Sequence, residues 1–90
     1  MMFEITAVRY GGARKTEQTI TRYQLRNPET GVVSEADKET LVEWVDAGTR
    51  AYVGDGPDRA WLRVVRSFPN YLRTQADADE KNNLTSLAEF

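Results

Sequence analysis

Apolar and polar residues alternate along several short stretches of the chain, and this period of two is typical of β-strands. β-branched and aromatic residues are frequent in these stretches, while glycine, proline and asparagine separate them. Val32-Val33 can add a short strand after the turn at 27–31. The five main predicted strands cover residues 3–10, 19–26, 50–53, 60–67 and 71–74.

One segment has a different period and predicts an α-helix. Ser34 is a suitable N-cap, and acidic residues follow it in the first turn. Leu41, Trp44 and Val45 then recur at the spacing of one helix face, and Gly48 stands where a helix commonly ends. This stripe makes Trp44 the predicted centre of the hydrophobic core.

Together these elements predict a single α+β domain over residues 1–90. The order β-β-α-β-β-β gives a small, mainly antiparallel sheet with one helix covering one face. Leu84, Leu87 and Phe90 form an apolar tail that we expect to dock on this domain. With no cysteine in the chain, packing and self-association are the available sources of stability.

The chain lacks two residue types on which many enzymes and metal sites depend. The chain contains no histidine and no cysteine, which supply the commonest general bases, activated nucleophiles and transition-metal ligands. Residues 11–16 combine glycine with cations but lack the spacing of a phosphate-binding loop. We therefore expect a non-enzymatic protein without a cofactor.

Two groups of acidic residues resemble metal or catalytic sites but favour a simpler interpretation. Asp77-Ala78-Asp79 opens like a calcium loop, but Asn82 stands where that loop needs glycine and Ala88 where it needs glutamate. Asp55 and Asp58 could form a carboxylate pair, yet aspartate is also a common turn residue. We expect no metal site.

The length of the apolar runs and the charges near the N-terminus predict where the protein is located. No apolar run approaches the roughly 20 residues that cross a membrane, and Glu4 and Arg9 interrupt the only N-terminal stretch that could act as a signal peptide. A cytoplasmic protein without membrane contact is expected.

The net charge of −2 conceals blocks of +3, −5, +3 and −3 over residues 1–26, 27–48, 49–73 and 74–90.

Strand alternation brings arginines and aromatic residues to one side of the predicted sheet. If Leu62, Val64, Leu72 and Thr74 face the helix, their neighbours face away from it. The outer face then carries Arg22, Arg26, Arg50, Tyr52, Trp61, Arg63, Tyr71 and Arg73, which are the candidate binding residues.

Three interpretations of this face remain open. It can be a solvated surface, partly covered by the C-terminal tail, on which arginine stems lie over aromatic rings. It can be a protein interface or a surface for self-association, because such contacts are enriched in tyrosine, tryptophan and arginine. It can also bind single-stranded nucleic acid or a nucleotide, although a pI of 5.1 is low for that class.

The chain also resembles the DUF3892 family of small bacterial and phage proteins of unknown function. The resemblance is carried by residues 4–9, 20–21, 26–31, 41–45, 50–53, 71–74 and 82–87. Leu87-Ala88 departs from the Leu-Pro with which the family pattern ends. The resemblance implies one small domain and no particular activity. A binding module acting through protein contacts or self-association is the expected function, with nucleic-acid or nucleotide binding as the alternative.

Overall fold

Seven β-strands and one α-helix make up the described part of the chain, which covers residues 2–54, 59–75 and 84–90 of a computed structural model. Two short 3₁₀ turns, Glu17–Thr19 and Leu84–Ser86, accompany them. The predicted α+β class is confirmed. The elements in chain order are β1 Met2–Tyr10, β2 Ile20–Arg26, β3 Val33–Asp37, α1 Lys38–Asp46, β4 Arg50–Val53, β5 Ala60–Val65, β6 Tyr71–Thr74 and β7 Ala88–Glu89.

The strands form one sheet in the order β3-β2-β1-β4-β5-β6, with β7 beside β1. Most neighbours are antiparallel, as predicted, but β1 runs parallel to both β4 and β7, so the sheet is mixed. The β1–β4 pair is parallel because the chain leaves β3 at the edge of the sheet and passes through α1 before β4 joins β1. Two register shifts in the β1–β2 pairing interrupt the regular alternation of β1.

The helix begins later than the sequence predicted. Residues 33–37 pair with β2 over five register positions, so Ser34 lies in a strand opposite Leu25. Asp37 is the N-cap instead, and its carboxylate accepts a hydrogen bond of 2.8 Å from the backbone N–H of Thr40. Side-chain and backbone hydrogen bonds with Thr40 also lower the pKa of Asp37. The prediction of Ser34 as the N-cap was therefore wrong, because the pairing of β3 with β2 continues up to the start of the helix.

The helix ends at the glycine that the sequence indicated. The N–H of Thr49 donates to the carbonyl of Trp44 at 2.9 Å, and the N–H of Gly48 donates to the carbonyl of Val45 at 3.1 Å. These two bonds define a Schellman motif. Gly48 has a φ of +111°, which residues with a Cβ rarely adopt.

The core lies between α1 and the inner face of the sheet, and Trp44 is not at its centre. Leu41 and Val42 are buried and Val45 packs against them, whereas Trp44 is 39% exposed and stacks on Phe3 with 6.1 Å between ring centroids. At 100° per residue, Leu41, Val42 and Val45 form the inward face of the helix and Trp44 flanks it. The predicted central role of Trp44 was therefore wrong.

The sheet supplies the rest of this core from alternate strand positions. Tyr23 is fully buried, and its burial, together with the charge of Glu17, raises the pKa of its hydroxyl. The buried core residues contributed by the strands are Ile5, Val8, Ile20, Tyr23, Leu25, Ala36, Ala51, Val53, Leu62 and Leu72.

The apolar tail docks as expected and adds a strand. Leu84 is fully buried in the core, and Leu87 packs against it. Ala88 and Glu89 pair with β1, and the N–H of Phe90 donates to the carbonyl of Val8 at 3.2 Å. Leu84 and Leu87 thus join the core on the helix side of the sheet, whereas Phe90 at the end of the tail contacts Arg9.

Several sequence predictions fall outside the described residues. They concern the central part of the loop at 54–58, including the pairing of Asp55 with Asp58, and most of the acidic stretch at 75–83 with Asp77-Ala78-Asp79.

Candidate functional site

The outer face is the side of the sheet that points away from α1, and strand register brings all eight candidate residues to it. Leu62 and Leu72 are buried on the helix side, so the residues next to them along β5 and β6 point outward. The same alternation in β2 buries Tyr23 and Leu25. The residues that this places on the outer face include Arg22, Arg26, Arg50, Tyr52, Trp61, Arg63, Tyr71 and Arg73.

The two candidate arginines on β2 are neutralised by carboxylates on the neighbouring strands β3 and β1. Arg22 Nε lies 3.3 Å from Glu35 Oε1 on β3, and Arg26 Nη1 lies 3.2 Å from Glu4 Oε1 on β1. Both pairs join neighbouring strands at exposed or half-buried positions. Arg22 and Arg26 therefore belong to the sheet's own ion pairs, and we call this side the neutralised half.

Arg9 also lies in the neutralised half, and the sequence analysis did not include it. Its Nε donates a 2.9 Å hydrogen bond to the carbonyl of Phe90, and its guanidinium lies 4.7 Å from the centre of the Phe90 ring. Arg9 thereby holds the end of the tail against β1. It lies opposite Arg22 in the β1–β2 pairing, and its place next to Val8 in the predicted strand 3–10 was the signal available in the sequence.

Strands β4–β6 have a different charge composition. In the described residues 50–54 and 59–75 there are five arginines and no aspartate or glutamate. Arg66 points elsewhere, because it donates to the carboxylate of Asp46 on α1 and thereby lowers the pKa of that carboxyl. We call the remaining outer-face group the basic half: Arg50, Tyr52, Arg59, Trp61, Arg63, Tyr71 and Arg73.

Trp61 is the centre of the basic half. The Arg50 guanidinium lies over its ring at 3.9 Å from the ring centre, and the Arg59 guanidinium is at 5.4 Å. Arg59 was also missed, although it lies two residues before Trp61 and so continues the same alternation along β5. These contacts fix the indole between two cations.

Tyr52 is on the predicted face but is not available to a partner. Its side of β4 faces outward, yet the residue is only 2% exposed because neighbouring side chains cover it. The Trp61 ring meets it edge to face with 5.5 Å between centroids, and Arg59 lies 4.1 Å from its ring centre. Tyr52 therefore supports Trp61 and Arg59 and cannot itself be a contact residue in this conformation.

Arg63 and Arg73 are directly opposite each other on β5 and β6. Both are exposed, and neither has a salt-bridge partner within the described residues. Like charges in directly opposite positions of a sheet are destabilising. This pair is therefore unfavourable for the isolated fold and favourable for a bound anionic group.

Tyr71 lies at the edge of the basic half. It is half-buried, and it borders a surface pocket of about 260 Å³ together with Lys38 and Phe68. Phe68 is fully exposed in the β5–β6 connection, and the sequence analysis did not single it out. An aromatic residue beside the Pro69 turn was the available signal. Tyr71, two residues before Arg73 on the same face of β6, adds apolar contact area next to the arginine pair.

Within the described ranges, no group of three or more histidine, cysteine, aspartate or glutamate side chains is placed to hold a metal ion. The helix in this part of the chain is too short and too polar to span a membrane.

The fold and site define a small α+β domain with a core on the helix side and a segregated cationic surface on the other. Comparison with known families gives a specific result, since residues 4–88 match the family described as "Protein of unknown function (DUF3892)". The chain belongs to the DUF3892 family. No curated protein and no solved structure matches it significantly.

Proposed function

We propose that this chain is a non-enzymatic binding domain that recognises protein partners, including a second copy of itself, through the basic half of the outer face. The observation that carries the proposal is the exposed Arg63–Arg73 pair, which lacks an acidic partner in the described part of the chain. Such a pair is unfavourable in the free domain. It becomes favourable when a partner supplies negative charge.

The residue types around this pair support a protein contact. Trp61 is half-buried and Arg50 is exposed. The Tyr52 ring packs against Trp61. Tryptophan, tyrosine and arginine dominate the energetically important positions of protein interfaces. Because the guanidinium of Arg50 and the ring of Trp61 are already stacked, less side-chain freedom is lost when a partner binds. The absence of histidine and cysteine from the sequence supports a role in binding.

Single-stranded nucleic acid is the second candidate. The observation in its favour is that residues 50–54 and 59–75 carry five arginines and no acid, which suits contacts with phosphates. The chain as a whole has a net charge of −2, however, and domains of this class usually have a high pI. This candidate therefore has less support.

The test compares two double variants that remove the same charge from different places. Arg63→Ser/Arg73→Ser removes the opposed arginine pair of the basic half. Arg14→Ser/Arg66→Ser removes two exposed arginines that lie outside it. Each chain is immobilised and used to capture proteins from a nuclease-treated lysate, and its mass in solution is followed by light scattering over a concentration series.

We expect wild type and the Arg14/Arg66 variant to show the same captured proteins or the same self-association, and the Arg63/Arg73 variant to lose it. A wild-type chain that stays monomeric and captures nothing would contradict the proposal. Equal behaviour of both double variants would also contradict it. Retention that depends on omitting the nuclease would favour the nucleic-acid candidate.

A further inference from the structure

We infer that the basic half binds an extended protein segment that carries acidic side chains at alternate positions. This inference rests on the proposed function and specifies the chemistry of the partner. It follows from the number of cations, from their spacing along β5, and from the way in which Trp61 is already covered.

The cations form two positions along β5. The first is the Arg63–Arg73 pair, in which two exposed arginines occupy directly opposite positions on neighbouring strands. The second is Arg50, whose guanidinium lies over the Trp61 ring at 3.9 Å. Arginine donates through N–H groups in the plane of the guanidinium, a geometry that matches the two oxygens of a carboxylate. Each position can therefore hold one carboxylate.

The β5 residues that mark the two positions have the spacing of an extended peptide. Trp61 and Arg63 are two residues apart on the same face of β5, which corresponds to about 6.5–7 Å along a strand. An extended segment that lies along β5 repeats its side chains toward the sheet at the same interval. Acidic residues at i and i+2 would therefore meet the two cation positions together.

The surroundings of Trp61 separate this partner from nucleic acid. Proteins that bind single strands without sequence preference stack bases on exposed aromatic faces. Here Arg50 lies over the Trp61 ring, and the indole and the Tyr52 ring meet edge to face. A base would have to displace Arg50 before it could stack. A carboxylate needs no such displacement, because it binds the guanidinium itself.

The experiment uses fluorescent peptides of about twelve residues, long enough to span both positions at about 3.3 Å per residue. One peptide alternates glutamate with serine, one replaces every glutamate with glutamine, and one carries the same number of glutamates in adjacent pairs. Binding to the full chain is measured by fluorescence anisotropy at low and moderate salt. An oligothymidine is measured in parallel.

We expect the alternating peptide to bind most tightly and the glutamine peptide not to bind. Arg63→Ser/Arg73→Ser should weaken binding by about tenfold or more, since charge-assisted contacts are lost. Arg63→Lys/Arg73→Lys should lose part of the affinity, because lysine keeps the charge but not the planar donors. Arg22→Ser/Arg26→Ser, in the neutralised half, should change affinity less than twofold by the same reasoning.

Three results would overturn the inference: equal binding of the paired-glutamate peptide, equal binding by the Arg63/Arg73 serine variant, or tighter binding of oligothymidine through the same two arginines. Failure of the proposed function would look different. If no peptide binds but protein capture is still lost in Arg63→Ser/Arg73→Ser, the inference fails and the binding domain stands. If capture is also unaffected, both fail.

Discussion

Arginine side chains on the outer face differ in what their guanidinium groups contact. Arg22 and Arg26 donate to glutamates on neighbouring strands, Arg50 stacks on Trp61, and Arg63 and Arg73 face each other. The number of charged residues alone does not distinguish these five arginines. Their environments separate those that stabilise the sheet from those that are open to a partner.

The opposed pair has a measurable consequence for stability. Arg73→Ser removes one of two like charges that are directly opposite, so we expect the free energy of unfolding to rise by about 0.2–1 kcal/mol at low ionic strength. Added salt should reduce the difference, because it screens exposed charges. Denaturant unfolding at two salt concentrations measures both effects. Arg26→Ser, which breaks the pair with the directly opposite Glu4, should bring no gain. A clear loss of stability in Arg73→Ser would contradict this assignment.

Leu41 and Trp44 test the position of the core. Leu41 is fully buried, so Leu41→Ala should lower the free energy of unfolding by about 2–5 kcal/mol. Trp44 is 39% exposed and packs mainly on Phe3, so Trp44→Ala should cost about 1–2 kcal/mol. Denaturant unfolding of the two variants gives the comparison. The opposite ranking would mean that Trp44 is the true centre of the core.

The secondary-structure elements show which features the sequence determines locally. The bounds of β4 and β6, the end of α1 at Gly48 and the inward positions of β2 were all predicted, since each depends on period or turn chemistry. The start of α1 was not, because residues 33–37 combine weak alternation with good capping residues. Their pairing with β2 is a tertiary effect that no local pattern reports.

The capping role of Asp37 predicts a dependence on pH. Hydrogen bonds with Thr40 lower the pKa of Asp37 in the folded chain, below its ordinary value of 3.8. Its contribution to stability is therefore complete above pH 3.8 and is lost as the pH falls through the lower folded pKa. Asp37→Ala should be less stable than wild type at neutral pH, and the difference should shrink in acid.

A neutral cap provides the control for Asp37. Asn is also a good N-cap, so Asp37→Asn should retain most of the stability at neutral pH. Because asparagine does not titrate, this variant should lack the decrease in stability that the Asp37 carboxyl causes in acid. Unfolding curves between pH 2 and 7 for the three chains measure this, with the ordinary carboxyl pKa lying inside that range. Parallel curves for wild type and Asp37→Asn across the acid range would contradict the role of the carboxylate.

Two glycines provide a matched test of the helix end. Gly48 has a φ of +111° with open space around it, so Gly48→Ala should destabilise the chain by about 1–2 kcal/mol through backbone strain alone. Gly12 also has open space but no positive φ, so Gly12→Ala should be neutral or slightly stabilising. Thermal unfolding compares them. Similar effects of both substitutions would argue against the Schellman ending.

On the scale of the whole molecule, the sheet separates the hydrophobic core from a charged surface. The inner face buries the core against α1 and receives Leu84 of the tail, while the outer face carries the charge. Alternation within each strand was enough to predict the eight outer residues. The division into neutralised and basic halves could not be predicted, because it depends on which strands are neighbours: β3 and β1 bring Glu35 and Glu4 to β2, and no strand brings an acid to the described residues of β5 and β6.

The measurement that tests the central claim most directly is NMR of the arginine side-chain Nε–H signals during titration of the full chain with the alternating glutamate–serine peptide. The account predicts that the signals of Arg63, Arg73 and Arg50 shift with one common affinity, while those of Arg22 and Arg26 stay in place. Shifts concentrated at Arg22 and Arg26, or spread evenly over all arginines, would contradict the assignment of the basic half as the binding surface.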